Sequence, residues 1–255
     1  MIALSAADGH TFSAYRADPP DAPKGAVVVL QEVFGVTPHI RRVTDAFAAL
    51  GYLAIAPALF DRVRTCVELG HDEEGFLEGL TLVEKIGDAT ALADIQASVD
   101  AVKGAGKVAV VGFSWGGHLA YLAANEVAGL ACSIGYYGAG IVEEGGAKRK
   151  VPTLLHFGSA DSLIPLDRVT QFREDRPDVS AFAYPGATHG FDTAPRGPLN
   201  VAAASAAQER TCAWIAQYVE GQPPIALKNA GAYAQAKVDK KKGKKAGDDL
   251  APPID

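Results

Sequence analysis

The chain has 255 residues, 48% of them hydrophobic and 21% charged, with 27 Gly and 15 Pro. A chain this long buries roughly three-quarters of the surface its unfolded form exposes, so no metal or disulfide staple is required; it is too apolar for a disordered chain, and its glycines lack the collagen period. The net charge of −6 is unevenly spread: from Gly221 onward seven Lys oppose four Asp, so that segment is +3 and the remainder −9, and an acidic body excludes the basic face of a nucleic-acid-binding domain. The first predicted element is the β-branched run at residues 26–30, which reads as a strand buried on both faces. Thr37 and Pro38 then look like an N-cap followed by proline at the first helical position. That helix carries Ile40, Val43, Phe47 and Leu50 on one face and ends at Gly51.

Residues 52–56 read as the next strand, stopped by Pro57. Residues 59–87 show little pattern. A helix over 88–102 follows, with Leu92, Ile95 and Val99 at spacings of three and four, then a strand at 107–112 and a helix through 118–125. Further strands are expected at 131–136, 153–157 and 180–183, and an Ala-rich helix at 202–219. Strands alternating with helices imply a parallel sheet covered on both faces, with its ligand site beyond the carboxyl ends of the strands. One domain is expected over residues 1–220. Gly221-Gln222-Pro223-Pro224 then breaks the last helix, and residues 221–255 read as a flexible Lys-rich tail. That tail has two further readings: binding to anionic lipid or nucleic acid, or docking to a partner.

Cys66, Cys132 and Cys212 have no CxxC spacing, so neither a disulfide framework nor a zinc site is expected, and a reducing compartment is the simplest reading. The N-terminus lacks the basic and apolar regions of a secretory signal. No apolar run approaches the roughly 18 residues of a membrane span. The expectation is a cytoplasmic protein, a monomer or small homo-oligomer, with no membrane association, no cofactor and no metal.

The strongest chemical signal is Gly112-Phe113-Ser114-Trp115-Gly116-Gly117. It matches G-x-S-x-G between an apolar strand and a helix, the context in which a sharp turn lifts a serine hydroxyl above a sheet. The backbone N–H of Trp115 and the helix N-terminus would face the same space and suit an oxyanion. A hydroxyl needs a base, and a neutral imidazole needs an orienting carboxylate. Three histidines follow Ser114. His118 lies within the helix and reads as a surface or packing residue, and His156 within a strand reads as a satisfied core histidine. His189, in a loop after a strand, is the expected base. Asp161, in the loop after strand 153–157, is the expected carboxylate, with Asp192 a competitor close to His189. The second oxyanion donor should come from the loop after the first buried strand, where the N–H of Val33 is the candidate. Glu32 beside it is either a solvated loop residue or a group that reaches Ser114 and accepts its proton in the resting enzyme.

The run Gln31-Glu32-Val33-Phe34-Gly35, the segment from Gly51-Tyr52-Leu53-Ala54 to Pro57-Ala58-Leu59-Phe60, the elbow at Ser114, Asp161 with Pro165, and His189 together resemble the dienelactone hydrolase family. The resemblance covers residues 27–219. It implies an α/β-hydrolase fold with a mostly parallel central sheet flanked by helices. It also implies a carboxylic-ester or lactone hydrolase acting on a small molecule through an acyl-enzyme. In its terms Ser114, Asp161 and His189 form the triad, Val33 and Trp115 the oxyanion hole, and Glu32 matches the family glutamate that bonds the resting nucleophile. Family members that open dienelactones have Cys where this chain has Ser114, and they hold the substrate carboxylate with arginines. Phe76 stands near one of those positions here, and Arg62, Arg64 and Arg196 are the possible substitutes. An acidic body gives an anionic lactone no long-range attraction, so another ester or lactone is the expected substrate. Residues 59–87 are expected to cover the site. The other functional readings are an inactive binding or scaffold protein on this fold, and hydrolysis of amides or thioesters.

Overall fold

Six apolar runs become strands of one eight-stranded sheet, each within one residue of its expected ends. The computed structural model describes residues 1–144, 148–193 and 199–222. The strands are β1 (Ile2–Ser5), β2 (Thr11–Ala17), β3 (Ala26–Leu30), β4 (Leu53–Pro57), β5 (Val108–Phe113), β6 (Leu130–Tyr136), β7 (Thr153–Gly158) and β8 (Ser180–Tyr184). The helices are α1 (Pro38–Ala49), α2 (Glu73–Ile86), α3 (Asp88–Val102), α4 (Trp115–Glu126), α5 (Leu166–Asp175) and α6 (Val201–Tyr218). The sheet order is β1-β2-β4-β3-β5-β6-β7-β8. The β1–β2 and β2–β4 pairs are antiparallel and all others parallel.

Side chains alternate across each strand, so the sheet has two apolar faces. Val27, Val29, Val111 and Phe113 pack with α1 and α6 on one face. Val28, Leu30 and Val110 pack with α2, α3 and α4 on the other. The register pairs Leu30 with Gly112, Phe113 with Tyr136, Tyr136 with His156, and Gly158 with Tyr184. The loops after β3, β5, β6, β7 and β8 therefore leave along one edge, bearing Glu32, Ser114, Tyr137, Asp161 and His189.

Four elements depart from expectation. β1 and β2 form an antiparallel edge whose residues are only alternately buried, so they lack the continuous apolar run that marks the inner strands. The stretch at 59–87 contains α2, capped by Asp72, whose carboxylate accepts from Gly75 N–H at 2.9 Å. Its pattern is obscured because Leu77 and Leu80 face solvent while Leu82 and Ile86 are buried. Finally, α4 begins at Trp115 rather than near 118, because the glycines of the elbow form its first turn. Thr37 occupies the N-cap position of α1, but its side chain makes no capping bond. No helix among the described residues is long and apolar enough to cross a membrane. The expected tail lies outside the described residues from 223 onward.

Candidate active site

β5 ends at Phe113 and α4 begins at Trp115, which leaves Ser114 to make the whole turn. Its φ is 53° and its ψ −115°. A non-glycine residue held there stores about 1–3 kcal/mol of strain. The surroundings hold it: Ser114 N–H donates to Tyr136 O at 3.0 Å, His118 N–H to Ser114 O at 3.1 Å, and Gly116 N–H to Gln31 O at 3.1 Å. A Cβ at Gly116 would lie 2.5 Å from the carbonyl oxygens of both Leu30 and Gln31. Only glycine lets α4 start so close to the end of β3. That approach brings the loop carrying Val33 to the side of the elbow. Trp115, as the first residue of α4, has a backbone N–H that its own helix cannot accept. Among the described residues, neither that N–H nor the one of Val33 donates to another backbone carbonyl. Residues 67–69 brace the Val33 loop, through the Gly35–Glu68 bridge and a 2.9 Å bond from Leu69 N–H to Phe34 O. The expected covering segment thus packs on this loop.

The loops after β7 and β8 are laced together. Ser159 N–H donates to Tyr184 O and Ala160 N–H to Ala187 O, each at 2.9 Å. Gly158 permits the contact, since a Cβ there would stand 2.3 Å from Ala187 O. This lacing brings Asp161 to His189. Asp161 Oδ2 lies 2.8 Å from His189 Nδ1, and Oδ1 accepts from Leu163 N–H at 2.8 Å, which sets the plane of the carboxylate. His189 Nε2 lies 3.0 Å from Ser114 Oγ. All three side chains are nearly or fully buried. Asp192 is engaged elsewhere, accepting from Tyr137 O–H at 2.5 Å. Tyr137 also sets its ring edge-on against His189, with centroids 5.0 Å apart. Tyr137 is a site-wall residue that sequence reasoning missed, because its strained φ of 36° is invisible in a one-dimensional pattern.

Glu32 is fully buried, so the solvated-loop reading is wrong. α2 packs on this loop: a Cβ at Gly79 would lie 2.0 Å from Val33 O, and the Phe76 and Phe34 ring centroids are 6.4 Å apart. Glu32 Oε2 lies 3.8 Å from His71 Nε2, and the His71 ring packs at 4.4 Å against Phe34. His39 also feels the Glu32 charge, although burial, the larger effect, holds its pKa below the usual histidine range. Both histidines precede Ser114 in the chain and were not candidates for the base. His71 lies in the stretch without pattern, and no sequence signal marked it.

The other named residues fall in place. His156 is fully buried, with Nδ1 2.8 Å from Tyr184 Oη and Nε2 3.1 Å from Thr211 Oγ1. His118 sits on α4, 3.4 Å from Asp88. Arg62 is committed to Asp94 at 2.7 Å and Asp8 at 2.8 Å, and Arg64 to Glu78 at 2.6 Å. Arg196 lies outside the described residues.

Comparison with known proteins gives a consistent result. The dienelactone hydrolase family matches residues 12–219. A protein of Escherichia coli strain K12 assigned as a carboxymethylenebutenolidase is 33% identical over 230 residues, 82% of this chain and 84% of its own length. The carboxymethylenebutenolidase of Pseudomonas putida is 28% identical over 234 residues, 87% of this chain and 98% of its own. A solved structure from Klebsiella pneumoniae, assigned as a dienelactone hydrolase, superposes with a TM-score of 0.71 at 30% identity, covering 85% of this chain and 99% of that one.

Proposed function

The chain belongs to the dienelactone hydrolase family of α/β-hydrolases, and from that premise we propose that it hydrolyses carboxylic esters or lactones with Ser114 as nucleophile. The observation that carries this reading is the unbroken line from Ser114 Oγ to His189 Nε2 at 3.0 Å and from His189 Nδ1 to Asp161 Oδ2 at 2.8 Å. In the first step His189 Nε2 takes the Ser114 proton as Oγ bonds to the substrate carbonyl carbon. The carbonyl oxygen becomes an oxyanion and accepts from the N–H groups of Val33 and Trp115. The intermediate then collapses: the C–O bond to the leaving alkoxide breaks, the imidazolium protonates it, and an ester to Ser114 remains. Water attacks that ester with His189 again taking the proton, which frees the acid and restores the serine. Asp161 accepts from His189 Nδ1–H, holding one tautomer and stabilising the imidazolium. A single oxyanion donor supplies about 2.7–4 kcal/mol of transition-state stabilisation in such sites.

The favoured substrate is a neutral ester or lactone. Arg62 and Arg64 are spent on Asp94, Asp8 and Glu78, the body carries −9, and Glu32 adds a buried carboxylate near the elbow. The test is turnover of a small activated ester by wild type and Ser114→Ala, with labelling by a fluorophosphonate read by mass. The reading requires a fall in kcat/KM of about 10³-fold or more and an adduct at Ser114. Unchanged turnover would sink it, and a chain that takes no label would be the scaffold protein instead.

A further inference from the structure

β6 ends at Tyr136, and the residue after it turns the chain out of the strand. Tyr137 holds a φ of 36°, in the left-handed region that a bulky aromatic side chain rarely enters. Packing imposes this turn. Gly138 runs so close to the start of α4 that a Cβ there would stand 2.7 Å from His118 N. Tyr137 N–H donates to His156 O at 2.7 Å, which ties the turn to β7. Strain of this kind persists where the surroundings over-determine it, and it gathers at functional sites. Here it accompanies a fully buried ring whose centroid lies 5.0 Å from that of His189, 5.5 Å from Phe191 and 6.3 Å from Phe113. The hydroxyl donates at 2.5 Å to Asp192 Oδ1, three residues past His189. One side chain therefore packs on the imidazole and ties down the loop that carries it.

The catalytic cycle gives that contact a task. At rest the imidazole is held at both nitrogens, Nδ1 by Asp161 and Nε2 by Ser114. Once Ser114 is acylated, its Oγ has no proton to share and the bond to Nε2 is lost. The hydrogen bond to Asp161 remains, and a ring held at one nitrogen can pivot about it. Nε2 must nevertheless stay aligned to take the proton of the attacking water. A misplacement of about 1 Å in such a geometry costs about 10²-fold in rate. Edge-to-face packing of aromatic rings is favourable and directional, and the contact between Tyr137 and His189 does not pass through Ser114. It is a restraint that survives acylation.

We propose, resting on the serine-hydrolase reading of this site, that Tyr137 is a positioning residue that keeps the His189 imidazole aligned after Ser114 is acylated, so that hydrolysis of the acyl-enzyme depends on it more than acylation does. The test is burst kinetics with p-nitrophenyl butyrate on the full chain, with competent sites counted by fluorophosphonate labelling. Tyr137→Leu keeps a Cβ, and with it the same backbone strain, but loses the ring. Its kcat should fall about 10–100-fold and its KM with it, while kcat/KM changes less than about threefold. One p-nitrophenolate per labelled site should appear in a burst ahead of the steady rate. Tyr137→Phe keeps the ring and should recover at least about fivefold of the lost kcat. Tyr137→Met serves if the leucine variant does not fold. A merely structural defect lowers kcat/KM in step with kcat at unchanged KM, or vanishes once rates are divided by labelled sites. Either result would overturn the proposal, as would a phenylalanine variant no better than leucine. A second arm needs no turnover. Ser114→Ala removes the Nε2 partner as acylation does, and the downfield proton resonance of His189 Nδ1–H should stay sharp in it. Adding Tyr137→Leu should broaden or abolish that resonance, and adding Tyr137→Phe should not; an unchanged resonance in the leucine double variant would overturn the proposal. A wild-type chain that takes no label at Ser114 would count against the serine mechanism instead, and the resonance would still decide whether Tyr137 holds His189.

Discussion

At the scale of single residues, two carboxylates competed for one histidine. Asp192 is three residues from His189 in the chain, and Asp161 is twenty-eight away. Distance along the chain favours Asp192; the lacing of the β7 and β8 loops instead sets Asp161 against Nδ1, and Tyr137 bonds Asp192. Asp161→Asn should therefore lower kcat by about 10³–10⁴-fold, by favouring the wrong imidazole tautomer. Asp192→Asn keeps the Tyr137 hydrogen bond and should cost less than about tenfold. Steady-state kinetics on one activated ester decide it, and the opposite ranking would transfer the role to Asp192. Ser114, His189 and Asp161 were legible because each follows a readable strand. Tyr137 and His71 were not, because their places depend on a strained turn and on a loop that folds back over β3.

At the scale of elements, the elbow works because α4 begins against the end of β3. Gly116→Ala would drive a Cβ to 2.5 Å from the carbonyl oxygens of Leu30 and Gln31, and Leu30 belongs to backbone that cannot yield without breaking the β3–β5 pairing. A loss of several kcal/mol is expected, in the range reserved for overpacked cores. Gly104→Ala is the control, since nothing lies within 4 Å of a Cβ there; it should change stability by less than about 0.5 kcal/mol. Urea unfolding of both variants separates a steric requirement at the elbow from a general cost of replacing glycine. The inner strands were readable because burial on both faces demands an unbroken apolar run. β1, β2 and α2 were not, because half-exposed elements mix polar and apolar positions.

At the scale of the whole molecule, acid should loosen the fold through His156. Burial, aided by the charge of Arg210, pushes its pKa down to about 3, whereas an unfolded histidine titrates near 6.5. Between those values the unfolded chain takes up a proton that the folded chain refuses, so stability is full above about pH 6.5 and falls as the pH drops through the window. Asp178, lowered to about 2 mainly by its bond to Arg176, loses its contribution only below about pH 4 and so does not act between pH 7 and pH 5. From pH 7 to pH 5 the His156 contribution amounts to about 2 kcal/mol. Urea unfolding at the two pH values should show that loss in wild type and a flatter response in His156→Gln; an equal slope would place the acid sensitivity elsewhere. We also expect truncation after Gln222 to leave turnover and the unfolding midpoint unchanged. The family match ends at residue 219, and the last described anchors are the Tyr52–Glu220 hydrogen bond and the bond from Gln222 N–H to Ala216 O.

The sequence by itself determined the class of fold, the elbow and the family, because each rests on a local rule: continuous burial writes an apolar run, a strained turn needs glycines, and the run from Gln31 to Gly35 is contiguous. Tertiary structure alone decided which carboxylate meets His189, that Glu32 is buried beside His71, that Arg62 and Arg64 are already paired, and that Tyr137 packs on His189. Those outcomes depend on which loops leave the same edge of a parallel sheet and on how closely they pack there. They join residues far apart in the chain, and no spacing along it records them.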